Sequence, residues 1–100
     1  MRLIIDLDGT ICSEEKTYSR TLAKPKLKAV SSLKALKKKK YTLIIYSARS
    51  WNEYEMTINW LNGHEIPYDQ VMLGKPIGDY WIDDRSLRFT TWKEILNQIK

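Results

Sequence analysis

One hundred residues, 43% hydrophobic and 29% charged, describe a single ordered domain over 1–100 with a small core and exclude a disordered chain. No apolar run approaches the ~20 residues of a membrane span and no signal segment opens the chain, so a cytoplasmic protein without membrane contact is expected. The formal charge of +5 would suit an anionic partner, yet much of it lies in Lys24, Lys26, Lys28, Lys34 and Lys37 to Lys40 without interleaved aromatics, which favours a solvated helix face over a nucleic-acid footprint.

The chain opens on Leu3-Ile4-Ile5-Asp6-Leu7-Asp8-Gly9-Thr10, which reads as a strand buried on both faces that ends in two carboxylates. Asp6 and Asp8 are two apart, so both point to one side of the strand tip, where at ~5 Å and an effective dielectric near 20 they repel by about 3 kcal/mol. A bound cation or a shared proton would offset that repulsion; the plainer reading is that Asp8-Gly9 opens a turn. Ile11 to Lys24 is polar and aperiodic, a loop or short hairpin over that tip. It contains Cys12, the lone cysteine, which cannot form an internal disulfide and reads as a small buried residue.

Pro25 suits a helix's first turn, and Leu27, Val30, Leu33 and Leu36 recur at helical spacing through about Lys39. No glycine closes this helix, so one of the final lysines must make the turn. Tyr41 to Tyr46 is a second buried strand ending in Ser47-Ala48-Arg49. Ser50 with Glu53 forms a capping box for a helix whose inner face carries Trp51, Tyr54, Ile58 and Leu61, closing at Asn62-Gly63. His64, in the following loop, reads as a surface residue. Val71-Met72-Leu73 is a third strand leading to Gly74-Lys75-Pro76, and Tyr80-Trp81-Ile82 a fourth leading to Asp83-Asp84-Arg85. Thr91 with Glu94 caps a last helix whose inner face is Trp92, Ile95, Leu96 and Ile99.

This order predicts an α/β fold, a doubly wound parallel sheet of Rossmann-like type, whose right-handed crossovers put every strand's C-terminal end on one rim. Asp6 and Asp8, Ser47 and Arg49, Lys75, and Asp83 and Asp84 all fall at such ends. Four strands thus deliver competent groups to one edge: carboxylates for a hard cation, magnesium before others, and a hydroxyl, a lysine and an arginine for phosphate oxygens.

Those residues, in that order, resemble the four motifs of the haloacid dehalogenase (HAD) superfamily of phosphatases: Asp6-Leu7-Asp8-Gly9-Thr10, then Ser47, Lys75 and Asp83-Asp84. Trp60-Leu61, Ile66-Pro67-Tyr68-Asp69, Gly74-Lys75-Pro76 and Ile82-Asp83-Asp84-Arg85 are similar to small capsule-biosynthesis-type members. The resemblance implies Asp6 as nucleophile, forming an aspartyl-phosphate, and Asp8 as proton donor and acceptor. It implies Ser47 as a phosphoryl ligand and Lys75 as the neutralising cation. Magnesium would be held by Asp6, the backbone carbonyl of Asp8 and the Asp83-Asp84 motif, with Asp84 favoured as the direct ligand and Asp83 behind it or paired with Lys75. Gly9, Thr10, Ala48, Arg49 and Arg85 would contribute to substrate binding, the alternative for the two arginines being a pair with a neighbouring acid. The chain departs from larger members in having no room for a cap domain, so an open site is expected. That leaves selectivity to an oligomeric neighbour, a macromolecular substrate or broad tolerance. Four tryptophans mildly favour a homo-oligomer, although Trp51 and Trp81 are expected to pack the sheet.

A small phosphorylated metabolite such as a sugar phosphate is the expected substrate. A polynucleotide end phosphatase and a non-catalytic metal-binding α/β module are the alternatives.

Overall fold

The computed structural model describes residues 1–99 and shows a small α/β protein built on a three-stranded parallel sheet. Strand β1 spans Arg2–Ile5, β2 Thr42–Tyr46 and β3 Gln70–Met72, in the order β1-β2-β3. Helix α1 spans Ala29–Lys38, α2 Tyr54–Gly63 and α3 Trp92–Gln98. The register sets Leu3 beside Leu43, and Ile5 beside Ile45 beside Val71. Side chains two apart share a face, so these residues form one apolar layer, joined in the core by Leu33 and Leu36 of α1, Leu61 of α2 and Trp92 of α3. Two buried indoles fasten the layers. Trp60 Nε1 donates to the Ala23 carbonyl at 2.9 Å, and Trp92 Nε1 donates to the Thr10 carbonyl at 2.9 Å.

The opposite face of the sheet is not covered to the same degree, contrary to the expectation of strands buried on both sides. Ile4 is 69% exposed, Met72 is exposed, and Ile44 and Tyr46 are half-buried. The segment 73–90 accounts for this, because it forms neither helix nor strand. The expected fourth strand, Tyr80-Trp81-Ile82, is therefore absent, with Ile82 97% exposed. Gly74, Pro76 and Gly78 precede it closely, none of them a strand-former, and the Trp81 ring is drawn to the Lys75 ammonium instead.

Three local expectations shift for identifiable reasons. Pro25 does not begin a helix: it pairs with Cys12 in a short antiparallel bridge flanked by Ser13 N–H to Lys24 C=O and Lys26 N–H to Ile11 C=O. That is the hairpin alternative for 11–24, which also contains a 3₁₀ helix at Thr17–Leu22. Lys28 then takes a left-handed conformation, φ 63°, α1 opens at Ala29, and Leu27 is left exposed. The Ser50–Glu53 capping box forms, but over a 3₁₀ turn, Trp51–Glu53, that runs into α2. Its three residues per turn rotate Trp51 and Tyr54 off the inner face, which is carried by Thr57, Trp60 and Leu61.

Candidate active site

The carboxylates of Asp6 and Asp8 stand just beyond β1, and a basic side chain answers each. Lys75 Nζ lies 3.0 Å from Asp6 Oδ1, which also accepts the Leu7 N–H at 2.9 Å. Arg49 forks onto Asp8, Nε to Oδ2 at 3.0 Å and Nη2 to Oδ1 at 2.8 Å. The repulsion expected between the two acids is thus offset by two cations from later strand ends. Both cations are delivered by one construction: the turns after β2 and β3 are laced together by Gly74 N–H to Arg49 C=O at 2.8 Å and Lys75 N–H to Ser47 C=O at 2.9 Å. Gly74 permits this by adopting φ +76°, and a Cβ there would stand 3.0 Å from the Trp51 indole nitrogen.

Arg49 is 1% exposed, and its third donor, Nη1, is accepted by Thr57 Oγ1 of α2 at 3.0 Å. Burial disfavours its charge, but the hydrogen bonds and charge of Asp8 outweigh that and hold its pKa above the ordinary value. Cys12 lies against the same pair, its thiol 3.7 Å from Asp8 Oδ1. Burial, reinforced by the Asp8 charge, pushes its pKa up to about 12, so it stays a neutral thiol.

Asp6, Asp8, Ala48, Arg49 and Lys75 line one cleft of about 280 Å³ at the C-terminal edge of the sheet. Its other walls include Glu14, Arg20 and Trp81, which sequence reasoning did not select. Glu14 and Arg20 belong to the polar stretch expected to overlie the strand tip, and that position was their only signal. Arg20 is held by Glu53, Nη1 to Oε1 at 2.6 Å, and the same Glu53 caps the Ser50 N–H. Burial works against the Glu53 charge, but Arg20 and the Ser50 N–H lower its pKa below the usual 4.5. Thr57 was also missed, although a threonine one turn before Leu61 on an inner helix face was a visible oddity.

Other expected site residues sit elsewhere. Ser47 is fully buried and does not line the cleft; its hydroxyl accepts the Arg49 N–H at 3.1 Å. Gly9, at φ +84°, and Thr10 form the turn below Asp8. Asp83, Asp84 and Arg85 are exposed outside the cleft, with Asp83 Oδ1 accepting the Arg85 N–H at 2.9 Å. Unpaired with β1, their segment is not anchored beside Asp6.

Among the described residues no group of three or more His, Cys, Asp or Glu side chains is gathered so as to hold a metal ion. The set implied by the resemblance, Asp6 and Asp8 together with Asp83 and Asp84, is therefore not gathered. What is present, two carboxylates at a strand tip, fits magnesium only where water and a substrate phosphate complete the octahedron.

No protein-family model and no curated protein matches the chain. Solved structures do. The chain is similar to a structural-genomics target from Vibrio cholerae, with 28% identity and a TM-score of 0.71 over 96% of this chain and 94% of that one. It is also similar to a chain of the Pnkp1/Rnl/Hen1 complex, with 24% identity and a TM-score of 0.64. A second structure, described as the Pnkp1/Rnl/Hen1 RNA repair complex, gives 25% and 0.64. The chain spans about a third of those longer chains, 34% and 32%, while 97% and 99% of its own length is covered. Among the described residues no helix is long and apolar enough to cross a membrane.

Proposed function

We propose that the protein is a phosphomonoester hydrolase of HAD type, with Asp6 as nucleophile. The observation that carries this reading is the Lys75–Asp6 contact of 3.0 Å, with Asp8 two residues on in the same cleft. Asp6 Oδ1 is engaged by Lys75 and the Leu7 N–H, and no described hydrogen bond engages Oδ2, which leaves an oxygen for attack.

In the first step an Asp6 oxygen bonds to phosphorus as the ester P–O bond breaks, and the leaving oxygen takes a proton from Asp8. Water then attacks phosphorus, the bond to Asp6 breaks, and the water's proton returns to Asp8. Lys75 neutralises charge on Asp6 and on the phosphoryl group. Arg49, buried and bidentate, fixes the direction in which Asp8 faces the cleft, and Ser47 holds the Arg49 main chain. Magnesium is the proposed cofactor: Asp6 and the main-chain carbonyl of Asp8 would hold it, and it would offset phosphoryl charge.

The test is phosphate release from p-nitrophenyl phosphate with magnesium present. Asp6→Asn is expected to abolish release with the circular dichroism spectrum unchanged, whereas undiminished turnover in that variant removes Asp6 as nucleophile. A polynucleotide end as substrate is the second reading, favoured by the exposed Trp81 ring in the cleft wall and consistent with the likeness to an RNA repair complex.

A further inference from the structure

The four tryptophans divide into two kinds. Trp60 and Trp92 are buried with their indole N–H groups accepted by carbonyls, as core residues should be. Trp51 and Trp81 are each 57% exposed, and both stand at Lys75. The Trp81 ring centroid is 5.5 Å from Lys75 Nζ and Trp81 walls the cleft, while Trp51 packs against Gly74, the residue before Lys75. Exposed indoles cost solvation, and here neither is used to build the core.

Charge does not supply the missing affinity for a substrate. The acids lining the cleft, Asp6, Asp8 and Glu14, are matched by Lys75, Arg49 and Arg20, each cation already committed to a carboxylate. At about 280 Å³ the cleft is also smaller than the ~300–1,000 Å³ of sites that enclose a whole ligand, so it takes the phosphate end and leaves the rest of the molecule on the rim. The aromatic surface beside the phosphate position is Trp81, 57% exposed and with its ring centroid 5.5 Å from Lys75 Nζ.

From this, and resting on the phosphatase reading above, we infer that the substrate is a nucleoside phosphate whose base stacks on Trp81 while its phosphate reaches Asp6 and Lys75. Base–aromatic stacking is indifferent to base identity, so little base selectivity follows. The base can come from a free nucleotide or from the end of a strand.

The deciding comparison is kcat/KM for adenosine 5′-monophosphate against ribose 5-phosphate, which share sugar and phosphate and differ only in the base. The nucleotide is expected to be preferred by roughly 5- to 150-fold, the range given by one stacked base. Trp81→Ala should collapse that ratio toward one and Trp81→Phe should keep it. In the Asp6→Asn protein the nucleotide should quench tryptophan fluorescence, with the quench lost in Asp6→Asn/Trp81→Ala. A short single-stranded oligonucleotide carrying a terminal phosphate forms the second arm. Preference for it over the mononucleotide assigns a strand end, and the reverse assigns a free nucleotide. If ribose 5-phosphate is cleaved as well as the nucleotide, the stacking surface is overturned and the phosphatase reading stands. If no substrate releases phosphate, the phosphatase reading falls and the Trp81-dependent quench alone decides whether a base binds there.

Discussion

Arg49 concentrates the electrostatics of the site in one side chain. A guanidinium 1% exposed survives in the interior because each of its three nitrogens has an acceptor, Nε and Nη2 in the two oxygens of Asp8 and Nη1 in the Thr57 hydroxyl. Removing the cation leaves the largely enclosed Asp8 carboxylate without its counter-charge, so Arg49→Met is expected to cost about 3–5 kcal/mol, a large share of the ~5–15 kcal/mol that holds a domain of this size. Thr57→Val removes only the hydroxyl that accepts Nη1 and should cost about 1.5–3 kcal/mol, the worth of a hydrogen bond to a charged group. Urea denaturation of both variants checks the order. Equal losses would mean that Thr57, rather than the Asp8 pairing, accounts for most of what Arg49 contributes. Sequence reasoning places Arg49 among the groups that bind an anionic substrate, and its type and its place after β2 do suit an anion. That the anion is the protein's own Asp8, 41 positions earlier, depends on the lacing of two turns that no local pattern announces.

At the level of elements, α1 ends as its composition requires. With no glycine available, Lys40 adopts φ +65°, its N–H bonding to the Lys37 carbonyl while the Tyr41 N–H returns to Leu36. A non-glycine residue in the left-handed region costs about 1–2 kcal/mol, and glycine's greater freedom in the unfolded chain takes back ~0.5–1. Lys40→Gly is therefore expected to stabilise by about 0.5–1 kcal/mol and to raise Tm by roughly 2–8 °C; a fall in Tm would contradict the strain. This end was readable from the sequence because it follows from a missing residue type, and the three paired strands were readable from short apolar runs. The fourth strand was not. Tyr80-Trp81-Ile82 has strand composition, but its aromatic ring finds a cation in Lys75, a competition that pattern alone does not rank. The inner face of α2 differs from its apolar pattern for a related reason: the capping box is visible in Ser50 and Glu53, while the 3₁₀ geometry of the turn it caps, which decides the helix phase, is a tertiary outcome.

Across the whole molecule, two ion pairs besides those of Asp6 and Asp8 clasp segments far apart in the chain. Arg20 with Glu53 ties the 3₁₀ helix Thr17–Leu22 to the start of α2, and Lys37 with Asp69, Nζ to Oδ2 at 2.7 Å, ties α1 to the approach to β3. Asp69 also accepts the Leu43 N–H at 2.7 Å. Its hydrogen bond to Lys37, with that from Leu43, lowers its pKa below the usual 3.8. For Glu53 the partners outweigh burial and lower the pKa from 4.5. A carboxyl whose pKa is lower folded than unfolded contributes stability that is complete above the unfolded value and is lost as pH falls through the folded one. The urea midpoint should thus be level from pH 7 to about 5.5 and decline once pH passes below 4.5 and then 3.8, where the unfolded chain takes up protons that the native acids refuse. The two clasps should separate by salt. Asp69 and Lys37 are both partly exposed, so ionic strength screens their share, whereas the Arg20–Glu53 pair is more enclosed and is screened less. Glu53→Gln is accordingly expected to flatten the acid limb at both low and high salt, and Asp69→Asn to flatten it only at low salt. A wild-type midpoint that rises between pH 4.5 and 3 would reverse the sign and remove both clasps from the account.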